Sequence, residues 1–225
     1  MKLLIFFALV SFSIGSNSSE PNHLVPISPY DPTGYQNAVF ESLIVNGVAN
    51  AYMISLPSFS PEEAVILYSD TEYLQKDGKP VFPVKLTKEE WFVKSVIANK
   101  MIHQTKIRSD GAIEYDIRPT KDVVVHIAKI EKNDAQKIIS AWKKVLQGTR
   151  YYDEPMSGFD GTNYLFYTGH ELYGKAWSPD SGIPKMLVDL GNLLSEYARS
   201  EEKDRGQIMQ NGILIADKIL SHPEN

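Results

Sequence analysis

The chain has 225 residues, 43% of them hydrophobic, which is enough for one good core or at most two small ones. It contains no cysteine, so its fold must rest on packing alone, and thiol chemistry is excluded. Its net charge is −5 and it has no basic run, which argues against nucleic acid and anionic membrane surfaces as partners, because both are bound by clustered lysine and arginine.

The first sixteen residues have the three-part layout of a secretory signal peptide. A positive start at Lys2 is followed by an unbroken apolar run over residues 3–10 and by small residues that end in Gly15 and Ser16. The apolar run is shorter than the roughly 20 residues that a permanent membrane anchor needs. We expect removal of residues 1–16, with cleavage near Gly15 or Ser16, and no membrane insertion afterwards. Export without disulfides fits a bacterial periplasmic or secreted protein better than a eukaryotic extracellular one.

Residues 17–35 carry four prolines among serine, asparagine, aspartate and glycine. This composition disfavours helix and predicts an extended arm, either a flexible lead or a strand-like strap over the domain. From Gln36 to Ile130 the pattern is mostly β, although the segment 60–63 fits the start of a short helix as well as a strand. Three dipeptides are typical of two-residue hairpin turns, namely Asn46-Gly47, Asp77-Gly78 and Asp110-Gly111.

Val123–Ile130 is a nearly continuous β-branched run, which is typical of a buried central strand. His126 lies inside this run and shares a face with Val124 and Ala128. We interpret His126 as a hydrogen-bonded histidine of the core or of the sheet surface. No two of the five histidines have the three-to-five-residue spacing that brings ligands onto one ion, so no metal site is predicted.

In the second half the hydrophobic period changes to that of amphipathic helices. Apolar residues at helical spacing mark three helices, at 135–146, 186–197 and 208–219. We expect the first helix to be capped by Asn133 or Asp134 and to stop at Gly148. A hairpin formed by residues 162–168 and 172–178 lies between the first two helices.

The order of elements predicts a single α+β domain over residues 36–225. It should contain a mainly antiparallel β-sheet with about three amphipathic helices packed on one face. Regular strand–helix alternation is absent, which argues against a doubly wound nucleotide-binding fold. Since the sequence also lacks a phosphate-cradling glycine loop, we predict no cofactor.

The search for catalytic groups gives candidates by residue type only. Ser140 and Lys143 match a Ser-x-x-Lys pattern, but Ser140 is about 200° of helical turn from Trp142 and should face water. Two carboxyl groups could support glycoside hydrolysis if the fold brought them together. The acidic candidates are Glu62, Glu63, Asp153, Glu154, Asp160 and Glu171.

Residues 151–179 hold the densest group of aromatic side chains in the chain. Tyr164 and Phe166 share one face of the first hairpin strand, whereas Tyr173 and Trp177 share a face of the return strand. These four are the candidate binding residues, because aromatic side chains can contact a sugar, a peptide or a partner protein. The alternative is that one face packs on the helices and the other is ordinary sheet surface.

Two motifs frame this hairpin. The first is residues 160–166, Asp-Gly-Thr-Asn-Tyr-Leu-Phe, and the second is residues 177–179, Trp-Ser-Pro, which a leucine-rich helix follows. Together with the preceding helix that carries Trp142 and Leu146, they resemble a family of uncharacterised exported bacterial proteins. The resemblance implies an exported location and a related fold, and its motifs are structural in character, so it implies no functional residues.

Two functions follow as expectations. The first is an exported, non-enzymatic protein that binds a partner, such as an envelope protein or a saccharide or peptide ligand, and an inhibitor or immunity-type protein is one concrete form. It depends on the dense aromatic hairpin and on the lack of an assembled catalytic motif. The alternative is a hydrolase that acts on cell-wall or polysaccharide material, with acids near Asp160 and Glu171 at work.

Overall fold

The computed structural model describes residues 22–28, 31, 33–44, 49–73, 75–76, 79–80, 86–151, 160–169 and 172–223. The expected signal peptide and the dipeptides Asn46-Gly47 and Asp77-Gly78 lie outside the described residues. In chain order the elements are α1 (Tyr35–Leu43), β1 (Ala51–Pro57), β2 (Glu63–Tyr73), β3 (Gln75–Lys76), β4 (Lys79–Pro80), β5 (Leu86–Ala98), β6 (His103–Ile107), β7 (Ile113–Ile117), β8 (Val123–Ile130), α2 (Lys132–Gln147), β9 (Thr162–Thr168), β10 (Leu172–Trp177), α3 (Gly182–Arg199) and α4 (Glu202–Ser221).

A six-stranded antiparallel sheet forms the centre of the molecule, in the order β10-β9-β1-β2-β5-β8. The other strands form two separate pairs, β3 with β4 and β6 with β7. The predicted α+β class is therefore confirmed, with a mostly antiparallel sheet and helices packed against it. None of the described helices combines the length and the apolar character needed to cross a bilayer.

One side of the sheet, which we call the helix face, includes Met53, Val65 and Val93 and packs against α2 and α3. Helix α4 packs on α2 and α3. The apolar stripe of α2 is buried as its helical spacing predicts, and Trp142 on that stripe meets Phe166 of β9 edge to face, with ring centroids 6.0 Å apart. The main core therefore lies between the sheet and these helices.

Helix α2 begins earlier than predicted. Glu131, directly after β8, is extended and takes the N-cap position, so the expected cap at Asn133 or Asp134 is wrong. Asp134 instead lies in the first turn, where a negative charge is favoured by the partial positive charge of the helix start. The expected stop at Gly148 is confirmed.

The opposite side of the sheet, which we call the α1 face, carries a second core. Val39 and Leu43 of α1 pack there with Ile54 and Ile66 of the sheet. The sequence did not predict α1, because it placed residues from Gln36 onwards in the β section. A fourth helix therefore joins the expected three, on the other face of the sheet.

The signal for α1 lies in the capping residues before it. Oδ2 of Asp31 accepts a hydrogen bond of 2.8 Å from the backbone N–H of Gln36, and Oγ1 of Thr33 accepts one of 3.2 Å from that of Tyr35. Short polar side chains of this kind satisfy the free N–H groups of a helix start. In the sequence they stand among prolines, which favoured the interpretation as an arm.

Strand β8 is not the central strand that its β-branched sequence predicted. It is the last strand of the sheet, and the exposed fractions of Val124, Val125 and Ile127 are 40%, 45% and 52%. Only the end of the strand, at Ala128 and Ile130, is buried. The prediction failed because an apolar sequence does not determine where a strand lies in the sheet. That position depends on which other strands pair with it.

The structure decides one turn prediction and one segment that the sequence left open between helix and strand. The pairing of Ile107 with Ile113 leaves residues 108–112 as the connection of β6 and β7, which is longer than the two-residue turn expected at Asp110-Gly111. Gly111 has a φ of +80°, so it still supplies the positive φ for which such dipeptides are selected. The ambiguous segment 60–63 forms no helix, and β2 begins at Glu63.

Residues 22–28 of the arm lie against the sheet. Leu24 is fully buried in the main core. Val25 forms a β-bridge with Lys175 of β10, through backbone hydrogen bonds of 3.0 and 2.7 Å. This part of the arm therefore covers the outer edge of β10.

Candidate functional site

The four predicted binding residues lie on two faces of the sheet. Tyr164 and Phe166 point to the helix face, where Phe166 is fully buried and belongs to the main core. Tyr173 and Trp177 lie on the α1 face, where Tyr173 is 46% exposed and Trp177 is half-buried. Phe166 is thus a core residue that a partner cannot reach, and the four do not form one surface.

Trp177 packs at the end of the hairpin where β9 begins and β10 ends. A Cβ placed on Gly161 would lie 2.9 and 3.0 Å from two atoms of the Trp177 ring, so this approach requires glycine. The hydroxyl of Ser178 accepts a hydrogen bond of 2.8 Å from the backbone N–H of Thr162. The hydroxyl of Ser58 donates one of 2.8 Å to the carbonyl of Gly161. These contacts fasten β9 and β10 to the β1–β2 loop, which gives Trp177 a structural role.

Tyr173 instead belongs to a row of three tyrosines on the α1 face. The register places Tyr52, Tyr167 and Tyr173 side by side on the adjacent strands β1, β9 and β10. The rings of Tyr52 and Tyr167 stack with centroids 4.5 Å apart, and those of Tyr167 and Tyr173 are tilted with centroids 6.3 Å apart. Phe40 of α1 meets Tyr52 and Tyr167 edge to face. We call Tyr52, Tyr167 and Tyr173 the tyrosine row.

The environment of the tyrosine row disfavours the ionisation of two of its hydroxyl groups. Burial raises the pKa of Tyr52 to about 12. The pKa of Tyr167 is raised by burial first and then by the neighbouring Tyr52 and Tyr173. Neutral phenol groups can donate and accept hydrogen bonds while their rings make apolar contacts. The row therefore offers a mixed apolar and hydrogen-bonding surface, open at the Tyr173 end.

These shifts predict a loss of stability at high pH. The folded pKa of Tyr52 lies above its ordinary value of 10.0, so its contribution is fully present below pH 10 and is lost between pH 10 and about 12. We expect the urea midpoint of unfolding to fall over this interval, and to fall less in Tyr52→Phe. The same loss in both proteins would contradict the shift.

A polar cluster lies under α3 on the helix face. Oε1 of Glu63 accepts a hydrogen bond from the hydroxyl of Ser195. The hydroxyl oxygen of Ser95 lies 2.9 Å from that of Ser195 and 3.3 Å from Oε1 of Glu63. Nη1 of Arg199 lies 3.8 Å from the same Glu63 oxygen. Because Ser95 and Ser195 are buried, no substrate reaches their hydroxyl groups, and the cluster fixes α3 to the sheet.

Glu62 lies on the other side of the sheet from Glu63. Its carboxyl group is fully buried and accepts hydrogen bonds of 2.7 Å from the Tyr35 hydroxyl and 2.9 Å from the backbone N–H of Ile102. The adjacent acids Glu62 and Glu63 therefore cannot act as a pair on one substrate. Asp160 is exposed. Asp153, Glu154 and Glu171 lie outside the described residues.

A cavity of about 420 Å³ lies beside the ends of α2 and α4. His23, Lys144, Arg150 and His222 are among its lining residues. The ammonium group of Lys144 donates hydrogen bonds of 2.7 and 2.6 Å to the carbonyls of Leu220 and His222, at the end of α4. A cation there satisfies carbonyl groups that the helix leaves free, so Lys144 has a structural role.

His126 lies on the helix face, opposite Ser95 in the β5–β8 pairing, and is half-buried. Among the described residues, no group of three or more histidine, aspartate or glutamate side chains is placed to hold a metal ion. The described residues therefore offer no set of ligands for a metal ion.

Sequence reasoning found Tyr173 but missed Tyr52 and Tyr167 as members of the row, and Phe40 as the residue that packs on them. Tyr52 alternates with the buried Met53 along β1, so its side was predictable but its partner strand was not. A comparison with models of known protein families gives no match to the chain, and a comparison with curated protein sequences gives none either. The resemblance to exported bacterial proteins stays a prediction.

Proposed function

We propose that this is an exported, non-enzymatic protein that binds a partner protein through the tyrosine row. The observation that carries the proposal is the alignment of Tyr52, Tyr167 and Tyr173 on three adjacent strands, with Tyr173 46% exposed at the open end. Tyrosine is enriched at protein interfaces, because its ring buries a large apolar area while its hydroxyl group remains hydrogen-bonded.

The geometry favours a protein over a sugar as the partner. The rings of Tyr52 and Tyr167 are nearly parallel, with an angle of 13° between their planes, so their stacked faces are turned to each other. A sugar ring that stacks on an aromatic face would need such a face to be open. The hydroxyl-bearing edges of the row suit the mixed polar and apolar contacts of a protein surface.

The rigidity of the row adds to this argument. Phe40 of α1 contacts both Tyr52 and Tyr167 at nearly right angles, with centroid distances of 6.0 and 5.3 Å. Side chains that are already ordered lose little conformational freedom on binding. Tyr173, at the end of the row, is then the residue expected to contribute most to affinity.

The exported location in this proposal depends on the signal-peptide layout of residues 1–16. It implies a partner in the bacterial envelope or outside the cell. Glu62 and Glu63 are held on opposite sides of the sheet by different partners, so this pair of candidate acids does not support the hydrolase alternative. An inhibitor or immunity-type protein is the concrete form of the proposal that fits an exported binding protein.

The partner can be identified and the row tested in one sequence of experiments. A photo-reactive phenylalanine analogue at position 173, in cells that export the protein, should form one discrete adduct. With that partner purified, Tyr173→Ala should weaken binding by roughly 10- to 100-fold, the range of an interface hot spot. Titration calorimetry gives the dissociation constants.

Tyr115→Ala is the matched control, because Tyr115 is 59% exposed on β7 and lies outside the row. We expect it to leave the dissociation constant unchanged. Equal affinities of the wild type and Tyr173→Ala, with both proteins folded by circular dichroism, would contradict the proposal.

A further inference from the structure

The two outer strands of the six-stranded sheet differ in what pairs with their outer edges. The outer edge of β10 pairs with Val25 of the arm. In the described part of the chain, no strand pairs with the outer edge of β8. An exposed apolar edge strand is a ready template for pairing with another strand, because its N–H and C=O groups point outwards. β8 therefore has the features of an interaction edge.

The exposed apolar side chains of β8 lie on both of its faces. Val125 and Ile127 lie on the α1 face, and Val124 lies on the helix face, as their partners in β5 show. Their exposed fractions of 40% to 52% make this the one stretch of neighbouring exposed apolar residues among those described. Single exposed apolar residues are ordinary, whereas a contiguous group marks a contact surface.

The order of side chains along β8 indicates which strand would fit. On the α1 face, Val125 lies between Val123 and Ile127, and Lys129 follows Ile127. The three apolar side chains read the same in both directions, apart from the exchange of valine for isoleucine. In an antiparallel pair, such a sequence places apolar residues opposite apolar residues when it meets a copy of itself.

We propose that a second copy of this chain pairs with β8 in antiparallel orientation, around a two-fold axis at Val125. Val125 then faces Val125 of the second copy, and Val123 faces Ile127. The two six-stranded sheets become one continuous sheet. A two-fold contact of this kind is closed, because each copy uses the same outer strand of its six-stranded sheet, and the pairing leaves that edge of neither copy free for a further copy.

The charges at the ends of the pair are compatible with this arrangement. If the pairing extended two residues beyond the start of β8, Lys121 of one copy would face Lys129 of the other, and like charges opposite each other are unfavourable. Lys129 is already ion-paired with Glu90, with its Nζ 2.7 Å from Oε1 of Glu90, which reduces the repulsion. We expect a concentration-dependent dimer, since a single strand pair buries a small interface.

Cysteine cross-linking tests the register directly, because the chain contains no other cysteine. Val125→Cys should form a covalent dimer under mild oxidation, since facing Cβ atoms lie about 4.5–5.5 Å apart. A mixture of Val124→Cys and His126→Cys should form the mixed dimer faster than either protein forms its own dimer. These two tests cover both kinds of facing pair, because successive pairs alternate between narrow and wide spacing.

Sedimentation velocity tests the association of the unmodified chain. The wild type should shift towards the dimer as its concentration rises, and Val125→Lys should remain monomeric because two lysines would meet at the axis. Leu214→Lys, at a residue of α4 that is 54% exposed, is the matched control and should dimerise like the wild type.

Three results would overturn the proposal. One is a wild type that stays monomeric at all concentrations. Another is a dimer that Val125→Lys leaves intact, since a different surface must then form it. The third is the absence of preferred cross-linking between positions 124 and 126. None of these results bears on the tyrosine row, which lies at the other edge of the sheet.

Discussion

Phe166→Ala is expected to destabilise the protein by about 3–5 kcal/mol, as truncations of buried aromatic residues do. Phe166 is fully buried on the helix face and meets Trp142 of α2 edge to face. Its removal would leave a cavity between the sheet and α2, in a core whose two layers are held together without disulfides. Urea unfolding followed by circular dichroism measures the effect.

The control for this prediction is a residue of the same hairpin on the other face. Tyr173→Ala removes a side chain that is 46% exposed, so we expect a loss of free energy of unfolding of roughly 1 kcal/mol or less. A small effect of Phe166→Ala, close to that of Tyr173→Ala, would contradict the assignment of Phe166 to the core. The pair thus separates the structural from the binding role of the aromatic hairpin.

The hairpin shows what strand periodicity can predict and what it cannot. Alternation in the sequence correctly grouped Tyr164 with Phe166 and Tyr173 with Trp177. It did not show which group is buried, because both faces of this sheet are covered by apolar layers. A strand with one wet face would have revealed its buried side through polar residues on the other.

The largest errors of the sequence-based prediction concern the order of the strands in the sheet. β8 has the composition of a central strand, but it lies at the edge, where β5 is the one strand of the described residues that pairs with it. Strand order depends on which non-local pairs form, and a single sequence carries little information about them. The helices α2, α3 and α4 were predicted because their apolar spacing is local.

The candidate site has the same limit. Phe40 and Tyr52 come from the consecutive elements α1 and β1, but Tyr167 is more than a hundred residues further along the chain, and the register of β1 with β9 brings the two tyrosines into contact. Sequence reasoning could identify Tyr173 by its place in an aromatic cluster. It could not supply the neighbours that make it part of a row.

Glu62 shows the same limit, because the sequence offered it only as a candidate catalytic acid. Its carboxyl group joins three segments of the second core, since it accepts hydrogen bonds from the Tyr35 hydroxyl of α1 and from the backbone N–H of Ile102. Burial, and then the hydrogen bond and charge of Glu62, raise the pKa of Tyr35. A buried acid with two donors is a structural connection between α1 and the sheet.

Glu62→Ala is therefore expected to reduce the free energy of unfolding by about 3–5 kcal/mol, measured by urea titration at neutral pH. The buried N–H of Ile102 and the half-buried hydroxyl of Tyr35 would lose their acceptor, at roughly 1–3 kcal/mol for a buried donor, and a cavity would remain. Tyr35→Phe removes one donor only and should cost less.

A double-mutant cycle with Tyr35→Phe then isolates the hydrogen bond between the two side chains, with an expected coupling on the order of 1–2 kcal/mol. The two mutations should be less than additive, because Tyr35→Phe removes one of the donors that Glu62→Ala would leave unpaired. If their effects were strictly additive, the Tyr35 hydroxyl and Glu62 would not interact, and α1 would be held to the sheet by its apolar contacts alone.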